Sequence, residues 1–120
     1  MMYSAQLLDH FEHPRNAGEV ASPDACAQVE NPACGDVIKL TLKVEQGRVV
    51  EARFLAKGCV PAIACASALT ELVQGRTLSE AAELTREEIV GAVGGVPEAS
   101  VHASHLAMDA LQQALVRLKT

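Results

Sequence analysis

The sequence predicts an α+β fold, in which a small antiparallel sheet of about three strands carries an N-terminal helix and C-terminal helices packed on one face. Two observations support this prediction. Apolar and polar residues alternate over 37–44 and again over 49–56, which indicates two strands joined by the turn Gln46-Gly47. After Pro61 the apolar spacing becomes helical, so the rest of the chain is expected to form helices.

The first third of the chain supplies one helix and one strand. Apolar residues at helical spacing predict a helix over 4–12, and Pro14 disfavours its continuation. A polar passage follows to about Asp24, and a first strand is expected over 26–30.

Four helices are predicted after the hairpin. Pro61 suits a first helical position and Gly75 suits a helix stop, so these two residues bound the first of them. Capping boxes, in which a hydroxyl and a carboxylate three residues later satisfy free amides, predict two short helices that begin at Thr77 and Thr85. The last helix is expected over about 101–119.

Composition limits the function. The chain has 120 residues and is predicted to be a single domain over 1–120. Apolar residues make up 49% of it, and 10 basic against 15 acidic residues give a net charge of −5. The basic residues are scattered along the sequence, which argues against nucleic acid and anionic membranes as partners. No stretch approaches the ~20 apolar residues of a membrane span. The N-terminus lacks the features of a secretory signal, so a cytoplasmic location is expected.

The hairpin register brings two cysteines to one end of the sheet. If the apolar faces of the two strands coincide, Val44 lies opposite Val50 and Ile38 lies opposite Ala56. Extended past the strand ends, the same register places Cys34 opposite position 60. Cys34 therefore lies near the residue at position 59, which is also a cysteine.

Four residues are candidate metal ligands at this sheet end. Asp36 is two residues from Cys34, which places both side chains on one face of an extended chain. Cys59 precedes a helix whose N-terminus is expected to favour its thiolate, and His102 begins the last helix. Two thiolates, an imidazole and a carboxylate suit zinc or iron in tetrahedral coordination, whereas two thiolates are too few for an all-cysteine iron–sulfur cluster.

Several segments, in order along nearly the whole chain, carry a resemblance to a known family. They are Asp9-His10-Phe11-Glu12-His13-Pro14-Arg15-Asn16, Asn31-Pro32-Ala33-Cys34-Gly35-Asp36-Val37-Ile38-Lys39-Leu40, Ala52-Arg53-Phe54, Gly58-Cys59 with Ala62-Ile63-Ala64, and His102 with Leu106-Ala107 and Asp109-Ala110. The sequence resembles the iron–sulfur cluster assembly scaffolds of the IscU or NifU N-terminal domain family.

The resemblance implies a non-enzymatic scaffold that receives iron, and sulfide from a cysteine desulfurase, and passes a labile [2Fe–2S] cluster to acceptor proteins. It also implies that Cys34, Asp36, Cys59 and His102 bind the cluster or iron. The family has a third cysteine after the histidine, where this chain has Ala103. Recognition by the Hsp70-type chaperone of the family is doubtful, because 96–100 keeps only one proline of the recognised segment.

Two other functions are weighed against the scaffold. One is a degenerate homologue that holds zinc or iron through the same four residues and regulates a cysteine desulfurase on which it docks; the missing cysteine at position 103 favours it. The other is a thiol enzyme with Cys59 as nucleophile and His102 as base, which is disfavoured because no oxyanion donor is identifiable. The sequence leaves open whether the protein is a monomer or a homodimer.

The remaining metal-binding residue types are expected to be structural. Cys65 is interpreted as a buried thiol, Cys26 as part of the first strand, and His105 as a surface residue that could act as a substitute donor. The last group is interpreted as the solvated face and end of the first helix and comprises Asp9, His10, Glu12 and His13.

Overall fold

The computed structural model describes residues 3–118, and within them three antiparallel strands form one sheet in the order β1-β2-β3. The strands are β1 (Ala25–Asn31), β2 (Asp36–Glu45) and β3 (Arg48–Lys57). The helices are α1 (Ala5–Glu12), α2 (Val60–Val73), α3 (Leu78–Ala82), α4 (Arg86–Ala92) and α5 (Val101–Arg117), with a 3₁₀ turn over Glu98–Ser100. The predicted α+β fold is confirmed.

Helices α2 and α5 cover one face of the sheet, and α1 packs on α2. The inward side chains of β2 are Ile38, Leu40 and Leu42, and all three are fully buried. Helix α2 is apolar nearly all round because it is enclosed by the sheet and by α1, α4 and α5. Among residues 3–118, no helix combines the length and apolar character needed to cross a bilayer.

Local sequence signals set most of the helix ends. Ser4 accepts a hydrogen bond from the amide of Leu7 and caps α1. The capping boxes that begin at Thr77 and Thr85 are both formed, so the two short helices are confirmed. The 3₁₀ turn before α5 was not predicted.

The predicted hairpin register is right at one end and wrong at the other. Ile38 pairs with Ala56 as expected, but Val44 pairs with Val49 rather than Val50. The reason is a two-residue turn with positive φ at both central residues, which aligns the strand ends one residue out of step. A bulge absorbs the difference, so Val50 is 41% exposed while Val49 is fully buried.

The outer face of the sheet is less open than the alternation predicts. The alternation over 37–44 predicts that the polar residue Thr41 lies on the solvent side of β2, yet it is 2% exposed. The segment between α1 and β1 covers it, because Thr41 Oγ1 accepts a hydrogen bond from the amide of Val20. One residue earlier in the same segment, Glu19 forms an ion pair with Lys39 at 3.0 Å.

Candidate metal centre

The β1–β2 loop positions the first candidate ligand. Asn31 and Asp36 form the last pair of the ladder, and the Gly35 amide donates a 2.7 Å hydrogen bond to the Asn31 carbonyl. This tight turn requires φ of +78° at position 35, a conformation that glycine adopts at little cost. Cys34 therefore lies at the exposed tip of the loop.

The connection from β3 to α2 positions the second thiol. β3 ends at Lys57, and Cys59 is the N-cap residue of α2. Gly58 joins them with φ of +141°, and a Cβ at this position would lie 2.9 Å from the Asp36 Cα and would collide with the Asp36 carboxylate. The absence of a side chain at Gly58 is thus what allows Asp36 to lie against the start of α2.

Asp36 is the centre of the site. Its side chain is 3% exposed, and Oδ1 accepts a 2.9 Å hydrogen bond from the Cys59 amide. Oδ2 accepts a hydrogen bond from the Cys59 thiol at 3.3 Å and lies 3.3 Å from His102 Nε2. One buried carboxylate therefore connects the β2 start, the α2 start and the α5 start.

The site residues predicted from the sequence come together. One ligand atom each from Cys34, Asp36 and His102 lie within 4.8 Å of one another, and Cys59 contacts the same carboxylate. We refer to Cys34, Asp36, Cys59 and His102 as the sheet-end cluster. Whether these residues bind a metal remains a prediction, but their donor atoms match the mixed sulfur, nitrogen and oxygen set that was expected.

The site favours a charged Asp36 carboxylate and a neutral Cys59 thiol. Burial opposes ionisation of Asp36, but hydrogen bonds from Cys59 and Cys34 and the nearby His102 outweigh it and lower its pKa. Burial and the Asp36 carboxylate raise the pKa of Cys59, although the Ala62 amide partly offsets them. The expectation that the helix N-terminus favours the Cys59 thiolate is therefore wrong for the metal-free protein.

The remaining cysteines lie outside the site. Cys65 is fully buried in α2, where burial raises its pKa to about 12, so its interpretation as a structural thiol agrees with the structure. Cys26 is half-buried in β1, opposite Thr41.

Ala103 is fully buried in the first turn of α5 and offers no donor atom. His105 is exposed and lines a cleft of about 300 Å³ that His102 also borders.

The interpretation of α1 as bearing a solvated polar face is wrong for His10. This histidine is 7% exposed, and its Nδ1 lies 2.8 Å from Ser67 Oγ in α2. Its Nε2 faces Glu71 at 3.6 Å, and Ser67 also accepts a hydrogen bond from the Arg15 amide. We refer to His10, Arg15, Ser67 and Glu71 as the α1–α2 cluster. It arises because α1 docks on α2, a tertiary contact that helical periodicity does not reveal.

Comparison with known proteins assigns the family. The family model described as the NifU-like N-terminal domain matches residues 2–120. The chain belongs to this family. It is 41% identical over 119 residues to the iron-sulfur cluster assembly scaffold protein IscU of Azotobacter vinelandii, covering 96% of this chain and 92% of that one. It is 40% identical over 124 residues to the protein of the same name from Escherichia coli K12, covering 100% and 96%.

A solved structure supports the family fold. The structure of a putative iron-sulfur cluster assembly scaffold protein for the SUF system from Fervidobacterium islandicum superposes with a TM-score of 0.80. The match covers 96% of this chain and 97% of the other, at 20% sequence identity. The arrangement of three strands and flanking helices is therefore shared.

One residue that shapes the site was not singled out from the sequence. Gly58 was noted only as part of the Gly-Cys pair, and its role depends on the close approach of Asp36. The pair itself is the available signal, because a glycine next to a candidate ligand indicates a close backbone approach.

Proposed function

We propose that this protein is a non-enzymatic scaffold on which iron and sulfide combine into a labile [2Fe–2S] cluster that is handed to acceptor proteins. The observation that carries the proposal is the convergence of Cys34, Asp36 and His102 within 4.8 Å, with Cys59 on the same carboxylate, in a member of this family. The cluster is the cargo of the protein, and a cysteine desulfurase is the proposed source of its sulfur.

The donor set supports a weakly held cluster. A [2Fe–2S] cluster takes four protein ligands, and histidine replaces cysteine in some proteins. Here Cys34 and Cys59 would supply soft thiolates, His102 an imidazole and Asp36 a carboxylate oxygen. A carboxylate binds iron–sulfur clusters less firmly than a thiolate, and the Cys34 loop is exposed, so the cargo can leave.

The alternative of a zinc-holding regulator has less support. The alternative rests on the lack of a metal-binding donor atom at Ala103. The relatives that match almost the whole chain are named as assembly scaffolds, and four potential ligands remain without position 103. We therefore place cluster assembly first and zinc binding at the same residues second.

Anaerobic reconstitution tests the proposal. Incubation of the purified protein with ferrous iron and inorganic sulfide should give the visible absorbance of a [2Fe–2S] cluster, which Cys34→Ala and Cys59→Ala should each abolish. Cys26→Ala is the matched control, because Cys26 lies on β1 away from the sheet-end cluster. This variant should retain the absorbance. A colourless wild-type protein, or equal colour in all variants, would contradict the proposal.

A further inference from the structure

The loop that carries Cys34 has little packing to fix its shape. It consists of residues 32–35, between Asn31 and Asp36, which form the last pair of the β1–β2 ladder. All four loop residues are exposed, whereas Asp36 is buried. Because the loop is exposed, its conformation depends on the hydrogen bonds that its backbone makes.

One residue accepts the hydrogen bonds of all the loop amides. The amide of Ala33 donates to Asn31 Oδ1 at 3.0 Å. The amides of Cys34 and Gly35 donate to the Asn31 carbonyl at 3.3 and 2.7 Å. Pro32, the fourth loop residue, has no amide hydrogen. Asn31 is therefore the anchor of the whole loop.

Only one of these three hydrogen bonds depends on the type of residue at position 31. The two bonds to the Asn31 carbonyl involve the backbone, so any residue can accept them. The bond from the Ala33 amide needs a short side chain with an acceptor atom, which asparagine, aspartate and, more weakly, serine supply to the amide two residues later. The identity of residue 31 therefore determines whether the first half of the loop is held.

The other three members of the sheet-end cluster are positioned by helices and a strand. Asp36 is buried at the start of β2, Cys59 is the N-cap residue of α2, and His102 lies in the first turn of α5. Cys34 depends on an exposed loop, although its Sγ lies within 4.8 Å of ligand atoms of Asp36 and His102. A donor that is already in place loses less conformational entropy when a metal binds, so a fixed loop favours binding.

We propose that Asn31 is a positioning residue, whose side chain holds the loop in the conformation that presents Cys34 to iron. It thereby sets how tightly the sheet-end cluster holds the metal. This role rests on the proposed function, because it takes Cys34 as an iron ligand. Loss of the side-chain hydrogen bond should weaken metal binding and leave the set of ligands unchanged.

Anaerobic titration with cobalt(II) tests this role, because cobalt replaces ferrous iron in tetrahedral sites and its bonds to thiolates absorb in the near ultraviolet. Asn31→Ala should reach the wild-type absorbance at saturation. Its apparent Kd should be about threefold to tenfold higher, as expected for the loss of one hydrogen bond. Cys34→Ala should instead have a lower absorbance at saturation, because one of the two thiolates is gone.

Three further variants separate the hydrogen bond from other effects. Asn31→Asp can accept the same bond and should bind cobalt at least as tightly as the wild-type protein. Asn31→Ser is uncharged and accepts the bond more weakly, so its Kd should lie between those of the wild-type protein and Asn31→Ala. Gln28→Ala, at an exposed position of β1, is the matched control and should keep the wild-type Kd.

Circular dichroism shows whether each variant is folded. A folded Asn31→Ala with the wild-type Kd would overturn the positioning role. The same holds if Asn31→Asp and Asn31→Ser bind cobalt as weakly as Asn31→Ala. If Asn31→Ala does not fold, Asn31→Ser decides the question, and an unchanged Kd in that variant overturns the role.

Failure of this role can be distinguished from failure of the proposed function. If the wild-type protein forms a cluster from iron and sulfide, and folded Asn31→Ala binds cobalt equally well, the scaffold function stands and the positioning role fails. If cobalt binding depends on Asn31 as expected but no cluster forms, the scaffold proposal fails and the positioning role stands. A wild-type protein that binds no cobalt would overturn the positioning role.

Discussion

The sheet-end cluster and the α1–α2 cluster each contain a histidine and a carboxylate, yet their surroundings differ. In the α1–α2 cluster, both ring nitrogens of His10 face protein partners, Ser67 at 2.8 Å and Glu71 at 3.6 Å. In the sheet-end cluster, His102 faces one carboxylate and lies near the exposed thiol of Cys34. The first cluster joins two helices, whereas the second has donor atoms available to a ligand.

The comparison teaches that residue type alone does not make a metal site. The sheet-end cluster gathers the starts of β2, α2 and α5 around one buried carboxylate, and each start carries a donor. The α1–α2 cluster lies between α2 and α1 with the segment that follows it, where His10 contacts Ser67 and faces Glu71. We therefore expect substitutions in the α1–α2 cluster to lower the stability of the protein and leave ligand binding unchanged. Substitutions in the sheet-end cluster should change ligand binding.

The largest expected effect is that of Gly58→Ala. Its methyl group would collide with Asp36, and φ of +141° is strained for alanine, so unfolding should become easier by about 2–5 kcal/mol. Iron binding should weaken as well, because Asp36 must move. Urea denaturation and iron titration measure the two effects.

Gly75→Ala is the matched control for this change. Gly75 also has a positive φ, +92°, but no atom lies within 4 Å of the position of its Cβ. It should lose stability through strain alone and bind iron like the wild-type protein. Equal iron binding by folded Gly58→Ala would show that Asp36 does not need its observed position.

Ser67→Ala should have an intermediate effect confined to stability. It removes the hydroxyl that contacts His10 Nδ1 and accepts from the Arg15 amide, which should cost about 1–3 kcal/mol. Cluster reconstitution should be unchanged at a temperature where the variant is folded. Ser79→Ala, at an exposed position of α3, is the control and should leave the urea midpoint unaltered. If folded Ser67→Ala could no longer assemble the iron–sulfur cluster, the proposed distinction between the α1–α2 cluster and the sheet-end cluster would be wrong.

The smallest expected effect is a pH dependence of stability at His10. Burial and the nearby Arg15 lower the pKa of His10 from its ordinary value of 6.5, while Glu71 and Asp9 act in the opposite direction. Protonation of His10 is therefore more favourable in the unfolded chain than in the folded protein. This contribution to stability is complete above about pH 6.5 and is lost as the pH falls through the pKa of the folded state.

Urea midpoints between pH 7.5 and pH 5 measure this dependence. His10→Asn keeps an acceptor near Ser67 but cannot titrate, so its midpoint should fall less steeply on acidification than that of the wild-type protein. His13→Asn, at an exposed position, should keep the wild-type slope. An identical slope in His10→Asn would place the acid sensitivity elsewhere.

Much of the fold could be predicted from local sequence. Strand alternation, the two capping boxes and the proline at the start of α2 act within a few residues, so they identify elements without tertiary information. The register failed only between the bulge and the turn, where Val44 pairs with Val49 because turn geometry overrode the apolar pattern. Thr41 was misjudged because the chain segment that covers it comes from a distant part of the sequence.

The candidate site was predictable in its members but not in its electrostatics. The register and the positions of helix starts placed Cys34 and Cys59 at one sheet end, and the structure brings Asp36 and His102 to the same place. The sequence could not reveal that Asp36 accepts a hydrogen bond from the Cys59 thiol and raises its pKa, because both effects depend on side-chain distances.

The sequence by itself determined the elements, the family and the residues available as ligands, because these follow from local pattern and residue identity. Only the tertiary structure decided what each polar residue does. Packing buried His10 between two helices and left Cys34 exposed, and it enclosed Asp36 among three element starts. Burial and the distance to a partner determine whether a polar atom stabilises the fold or remains free to bind a ligand, and both arise only when distant segments meet.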